Sequence, residues 1–129
     1  RQCQAPIRNL TGRLSLRMTA ALLHSAALLV SLDSGPMHLS CAVGTPVVGL
    51  FGPTAPWRTG PFGSGHHIIR KDLSCSPCYR RRKCPKNHHR CMEDISVAEV
   101  FEVCCNCFAT IEHMSFFERL GYGNQQGTA

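Results

Sequence analysis

No stretch of this chain is apolar enough to cross a bilayer: the longest apolar run, residues 26–32 with Ser31 inside it, falls far short of the ~20 residues a spanning helix needs. No basic segment followed by an apolar one opens the sequence, so no secretory signal is read there and a soluble, cytoplasmic chain is expected. The start also lacks methionine. The first residues from Arg1 read as the continuation of something already under way, and a fragment boundary is expected. Acid is scarce, with 8 Asp and Glu against 14 Lys and Arg, for a net charge of +6. It is absent altogether between Tyr79 and Cys91, where Arg80, Arg81, Arg82, Lys83, Lys86 and Arg90 fall together; outside that stretch bases and acids balance. The charge excess therefore belongs to one segment. Such a segment suits a phosphate-rich partner, whether nucleic acid, an anionic lipid head group or a nucleotide, or else it is a solvated basic loop. There is no internal repeat and no low-complexity tract, which excludes a solenoid.

What is present fits one ordinary domain: 129 residues, 43% of them hydrophobic, can bury a single core. The nine cysteines would suggest a disulfide scaffold in a short secreted chain. Here they accompany an alternating helix and strand pattern of intracellular α/β type, so metal binding or plain burial is the expected use.

Ser15 can cap a helix over about residues 15–26, in which Leu16, Ala20, Leu23 and Ala27 recur at the spacing of one buried stripe. Residues 28–32 form a short apolar run closed by Asp33-Ser34-Gly35-Pro36, the pattern of a buried parallel strand. Pro36 suits the first turn of a second helix, where its missing N–H costs nothing, and Gly44 should end that helix. Residues 46–51 give another strand, followed by a Gly- and Pro-rich loop. His67-Ile68-Ile69-Arg70 adds a short strand, and Asp94 or Ser96 should cap a last helix through Val97, Val100, Phe101 and Cys104. Beyond about residue 115 the polar, Gly-rich end is expected to be poorly ordered.

In an open parallel α/β sheet, ligands bind beyond the carboxyl ends of the strands, and Asp33-Ser34-Gly35-Pro36-Met37-His38 sits at such a strand-to-helix junction. The helix start offers unpaired N–H groups and partial positive charge, which suit a phosphate, and Gly35 removes a side chain that would block its approach. Ser34 and His38, four residues apart, can face that ligand from one side of the helix. Both can donate to phosphate oxygens, and a protonated imidazole would also offset charge on a departing diphosphate. A plainer reading has Asp33 or Ser34 capping the helix and His38 as a satisfied, half-buried histidine.

Three linked motifs add to this. The run Asn9-Leu10-Thr11-Gly12-Arg13-Leu14-Ser15-Leu16, then Asp33-Ser34-Gly35-Pro36-Met37-His38-Leu39, then Gly44-Thr45-Pro46-Val47-Val48-Gly49-Leu50-Phe51-Gly52-Pro53-Thr54 resembles, in order and spacing, the C-terminal half of glycosyltransferase family 9, the heptosyltransferases. The likeness continues through Pro56, Arg58, Gly60, Pro61 and Gly63 to Cys91 and Ile95, and stops after Val103. The tail with Cys104, Cys105 and Cys107 departs from the family's aliphatic terminal helix; these thiols are expected to act as small buried apolar groups.

The resemblance implies a GT-B enzyme, with two Rossmann-like domains facing a cleft, the acceptor held mainly by the first and the ADP-sugar mainly by the second. Residues 1–114 would be part of that second, C-terminal domain, an α/β fold with a Rossmann-like parallel sheet, and residues 115–129 a tail. The family's donor-diphosphate motif carries over to Asp33, Ser34, Gly35 and His38. Leu14 matches a position near the nucleotide base, and Gly52, Pro53 and Thr54 would line the cleft. Transfer in the family inverts the anomeric carbon and requires no cofactor. Its acidic general base belongs to the first domain and has no counterpart here, so this chain alone should be inactive. The partners implied are ADP-heptose or a similar nucleotide-sugar, the lipopolysaccharide core acceptor, and peripheral contact with anionic membrane at the inner face of the inner membrane.

Cys75 and Cys78 form a CxxC pair, followed by Cys84 and Cys91 with His88 and His89 between them. CxxC is a good half-site for tetrahedral zinc, but six residues separate Cys84 from Cys91 where two to four are usual. A structural zinc on Cys75, Cys78, Cys84 and Cys91, disulfides, and free thiols in a basic loop all stay open. The rival to the transferase reading is a zinc-stabilised basic module that grips nucleic acid. Against it, Tyr79 is the one aromatic stacking partner in the basic run and no recognition-helix pattern accompanies the thiols, so no nucleic acid is expected.

Overall fold

The computed structural model describes residues 5–80 and 83–113, together with the backbone but not the side chains of the last three. The tail expected beyond residue 115 lies outside the described residues, as do Arg81 and Arg82. The chain runs α1 (Leu16–Ser25), β1 (Leu29–Leu32), α2 (Gly35–Ala42), β2 (Val47–Phe51), α3 (Pro56–Thr59), β3 (His67–Arg70), α4 (Arg90–Glu93) and α5 (Val97–His113). Among the described residues no helix is long and apolar enough to cross a membrane.

The three strands form one parallel sheet in the order β1-β2-β3. The central strand alternates two buried faces. Val47 and Phe51 pack with Met37 and Cys41 of α2 and with Leu29, while Val48 packs with Ile69, Ile95, Val100, Val103, Cys104 and Cys107, largely from α5. Helices thus cover the sheet on both sides, the three-layer Rossmann-like arrangement expected of a parallel sheet. Met37 is wholly buried at the heart of the α2 face, where truncation to alanine costs about 2–5 kcal/mol.

Local chemistry sets the ends. Ser15 accepts from the Met18 amide at 3.3 Å and caps α1, and the Ser96 hydroxyl accepts from the Glu99 amide at 3.1 Å and caps α5. Gly44 takes φ +79, the left-handed conformation that turns the chain out of α2. The C-terminal ends of α1 and α2 are then tied together: Thr45 Oγ1 donates to the Leu23 carbonyl at 2.6 Å, and His24 Nδ1 to that of Val43 at 3.1 Å.

Two expectations need correction. Of the stripe proposed for α1, Leu23 is buried but Leu16 is 75% exposed: Leu16 stands in the first turn, whereas the tie to the residues after α2 is at the other end, where Thr45 bonds the Leu23 carbonyl. Of the tail thiols, Cys107 is buried and Cys104 packs against the core, but Cys105 is exposed on the outer side of α5. The short helices α3 and α4 have no counterpart in the sequence reading, since one turn is too brief to establish a periodicity.

Candidate functional site

β1 and β2 are adjacent and parallel, so the segments that leave them emerge on one edge of the sheet. Asp33, Ser34, Gly35 and His38 leave β1 there, and Gly52, Pro53 and Thr54 leave β2 beside them.

Ser34, one of the two side chains expected to cap α2, occupies the N-cap without a side-chain bond to the helix. Its hydroxyl instead donates to the Leu32 carbonyl at 3.0 Å and lies 3.1 Å from the Ser31 hydroxyl. Asp33 Oδ2 accepts from the Thr59 hydroxyl at 2.9 Å. Pro36 brings no N–H to this first turn and the Met37 amide donates to the Ser34 carbonyl at 3.1 Å, so the Gly35 amide is the backbone donor that the helix start offers. Pro36 stands in the first turn as expected, and a Cβ built on Gly35 meets nothing within 4 Å, so the space over the helix start is clear. His38 is exposed, not half-buried, one turn along the same helix. The arrangement places the positive end of a helix, the Gly35 amide, a hydroxyl beside it and an imidazole open to solvent around one clear space, donors of a kind that suits phosphate.

At the end of β2 the geometry differs from a bare cleft wall. Gly52 and Thr54 are buried and only Pro53 is partly exposed. The Ser76 hydroxyl donates to the Gly52 carbonyl at 2.6 Å, and the amides of Cys78 and Tyr79 donate to the Pro53 carbonyl at 3.1 and 2.7 Å. The cysteine segment is therefore packed down on this strand end. A Cβ at Gly52 would run into Met92 and stand 3.2 Å from Cys91 Sγ, so glycine is what allows α4 to come so close. Leu14 is half-buried in the loop ahead of α1, whose Asn9 side chain accepts from the Thr11 amide at 3.0 Å.

Sequence reasoning missed Thr59, which reaches Asp33 from 26 residues away. It also missed two stacked cations: Arg58 lies over the Tyr79 ring, 5.7 Å from its centroid, and Arg70 over Trp57 at 5.2 Å. No local pattern announces these contacts, although Arg58 and Gly60 were already among the motif positions.

The four thiols of the segment form one neighbourhood. Burial raises the Cys91 thiol above its ordinary pKa, and the neighbouring thiols of Cys78, Cys75 and Cys84 raise it further. The backbone N–H groups of His89 and His88 hold the Cys84 thiol below its ordinary pKa. Cys75 Sγ is 3.8 Å from His88 Nε2, and His88 Nδ1 accepts from the Arg90 amide at 3.1 Å. Tyr79, Asn87 and His89 all have positive φ, which bends the chain sharply around this cluster.

Comparison with known proteins places the chain in a family. The model of glycosyltransferase family 9 (heptosyltransferase) matches residues 1–89. The chain is 33% identical over 97 residues to lipooligosaccharide heptosyltransferase 2 of Campylobacter jejuni, a match covering 74% of this chain and 30% of that protein. It is 31% identical over 99 residues to lipopolysaccharide heptosyltransferase 2 of Escherichia coli K12, covering 77% of this chain and 28% of the relative. With lipopolysaccharide heptosyltransferase 1 of Pseudomonas aeruginosa it shares 39% over 69 residues, 54% of this chain and 19% of the relative. The chain thus spans less than a third of the length of these relatives. No solved structure matches it.

Proposed function

The chain belongs to glycosyltransferase family 9, the heptosyltransferases, and from that premise we propose that it forms the donor-binding part of an enzyme that transfers heptose from ADP-heptose to the lipopolysaccharide core. The observation that carries the reading is the open start of α2. Its N-cap serine makes no side-chain bond to the helix, the space over Gly35 is clear, and His38 is exposed one turn on.

In this reading the donor diphosphate lies across the Ser34–Gly35 turn. The Gly35 amide donates to its oxygens, the Ser34 hydroxyl joins it by turning away from the Leu32 carbonyl, and the partial charge of the helix start favours the anion. His38 donates from the side. As the glycosidic bond to the phosphate breaks, negative charge builds on the leaving diphosphate, and donors already aimed at it lower the barrier without having to reorient. Asp33 does not touch phosphate, since two anions would repel; through Thr59 it holds the two turns in register. Leu14 flanks the base, and Pro53, just beyond β2, is the residue of that strand end best placed to meet the sugar. Catalysis follows the GT-B inverting scheme, with the acceptor and the acidic base contributed by other residues of the full enzyme. The acceptor is a phosphorylated lipid, and the run from Arg80 to Arg90 meets it or the anionic membrane around it.

Calorimetric titration of the full-length enzyme with ADP, in parallel with His38→Ala and Gly35→Ala variants, tests the reading. Tight binding that both substitutions weaken is expected; binding unaffected by either places the donor elsewhere. A gel-shift assay with mixed nucleic acids on the same samples addresses the rival nucleic-acid module, for which a shift without ADP binding would be the signature.

A further inference from the structure

The one-turn helix α3 lies along the carboxyl edge of the sheet, the edge at which an open parallel α/β sheet meets its ligands. Thr59 at one end of it is bonded to Asp33 beyond β1, and Trp57 meets Arg70, the last residue of β3. Two exposed aromatic rings stand there. Trp57, the one tryptophan of the chain, is 69% exposed, and Tyr79 is 51% exposed where its amide donates to the Pro53 carbonyl at 2.7 Å. Each ring has a guanidinium over one face, Arg70 at 5.2 Å from the Trp57 centroid and Arg58 at 5.7 Å from that of Tyr79. Trp57 and Arg58 are consecutive, so α3 joins the two pairs.

Burial does not account for these rings, since an aromatic left half or more exposed forgoes much of the stabilisation its area offers. A cation backs each one and leaves the opposite face to solvent. We propose that Trp57 and Tyr79 form a subsite for the acceptor, in which the open ring faces stack on sugar rings of a phosphorylated oligosaccharide and Arg58 pairs with its phosphate. The assignment rests on the donor reading above.

The apolar side of a sugar ring presents C–H bonds of slight positive charge, and the negative face of an aromatic ring attracts them. A guanidinium laid flat on a ring still points its N–H groups outward in its own plane, the geometry that meets phosphate oxygens in two parallel bonds. The charge of the ligand follows from that of the chain: the net charge is +6, and the acid-free run of bases begins directly after Tyr79. Order along the edge selects the acceptor. The sheet runs β1-β2-β3, and the donor reading puts the diphosphate beyond β1 and its sugar at Pro53 beyond β2. The rings come next, Tyr79 bonded to Pro53 and Trp57 beside the end of β3, where the group that receives the transferred sugar has to lie.

The test uses the full-length enzyme and a deacylated, phosphorylated core oligosaccharide as the probe. Binding is followed by tryptophan emission as the difference between the parent and Trp57→Phe, a measurement that needs neither ADP nor turnover. Saturable quenching that depends on Trp57 is expected. In transfer from ADP-heptose, Trp57→Ala and Tyr79→Ala should each raise the acceptor KM about 10-fold with a smaller fall in kcat, while Trp57→Phe, which keeps a ring, stays within about threefold of the parent. Both positions are exposed, so the alanine variants should fold. Arg58→Gln should raise KM for the phosphorylated probe and spare its dephosphorylated form. A parent whose Trp57 emission the saccharide leaves unchanged overturns the proposal, as does saccharide affinity that survives both alanine substitutions. Loss of co-sedimentation with phosphatidylglycerol–phosphatidylethanolamine vesicles in those variants, with saccharide affinity intact, overturns it in favour of a lipid surface. Absent ADP binding beside intact Trp57-dependent quenching sinks the donor assignment and leaves the sugar subsite standing.

Discussion

The Thr59 hydroxyl donates to Asp33 Oδ2 over 2.9 Å, so the turn after β2 is bonded to the turn after β1 at the edge where the donor is proposed to bind. Thr59→Ala should leave this carboxylate short of a donor and loosen the junction. A loss of about 1 kcal/mol corresponds to roughly fivefold weaker ADP binding. Titration of Thr59→Ser beside it should show most of the affinity restored, since serine keeps the hydroxyl.

Gly35 and Gly60 should respond in opposite ways to alanine. At Gly35 the added methyl meets no protein atom within 4 Å, so stability should change by no more than about 0.5 kcal/mol while ADP affinity falls. Preserved affinity in a folded Gly35→Ala variant would argue that no phosphate approaches this backbone.

At Gly60 the same methyl runs into the Pro56 carbonyl, a backbone atom that cannot swing away. Gly60→Ala should cost about 1–3 kcal/mol in urea unfolding by forcing α3 open. Through Thr59 it should weaken ADP binding as well.

His38 is exposed, so His38→Ala should leave the unfolding free energy within about 0.5 kcal/mol of the parent. Turnover with ADP-heptose should fall about 10- to 100-fold, the scale of one hydrogen bond to a charged oxygen. Equal steady-state rates for parent and variant would remove the imidazole from the mechanism.

Acid should weaken the fold through His66. Its Nε2 donates to the Phe62 carbonyl at 3.0 Å, its Nδ1 is buried without a partner, and burial lowers its pKa. The unfolded chain therefore takes up this proton at a higher pH than the folded one does. The stabilising contribution is complete above the ordinary histidine range and drains away as pH falls through that range toward the depressed folded value. Urea midpoints measured across this interval should decline more steeply for the parent than for His66→Gln.

The sheet and its order of helices could be read from the sequence because Leu29, Val47, Val48 and Phe51 lie in short apolar runs and Ser15, Gly44 and Ser96 punctuate them with recognisable end chemistry. The Asp33–His38 junction was legible for the same reason, since it follows a strand directly. The partners of Asp33 were not, because a bond between residues 26 apart depends on how two crossovers lie side by side. Capping by Ser34 was a natural local reading, yet its hydroxyl is drawn off by the Leu32 carbonyl. Leu16 misled because its apolar spacing puts it on the stripe, yet it stands in the first turn of α1, at the other end from the tie at Leu23.

Arg58 and Thr59 are consecutive in a helix of one turn, yet the first reaches over the ring of Tyr79 while the second holds Asp33. A unit that short has no interior in which to absorb a twist. α3 is therefore a rocker between two shores: tilting it to follow Tyr79 drags the aspartate, and seating a ligand beside the aspartate tugs the aromatic ring. By thermodynamic reciprocity, and for a diphosphate bound as proposed, whatever tightens the cysteine segment on its strand end alters that binding by the same factor that the ligand alters the segment.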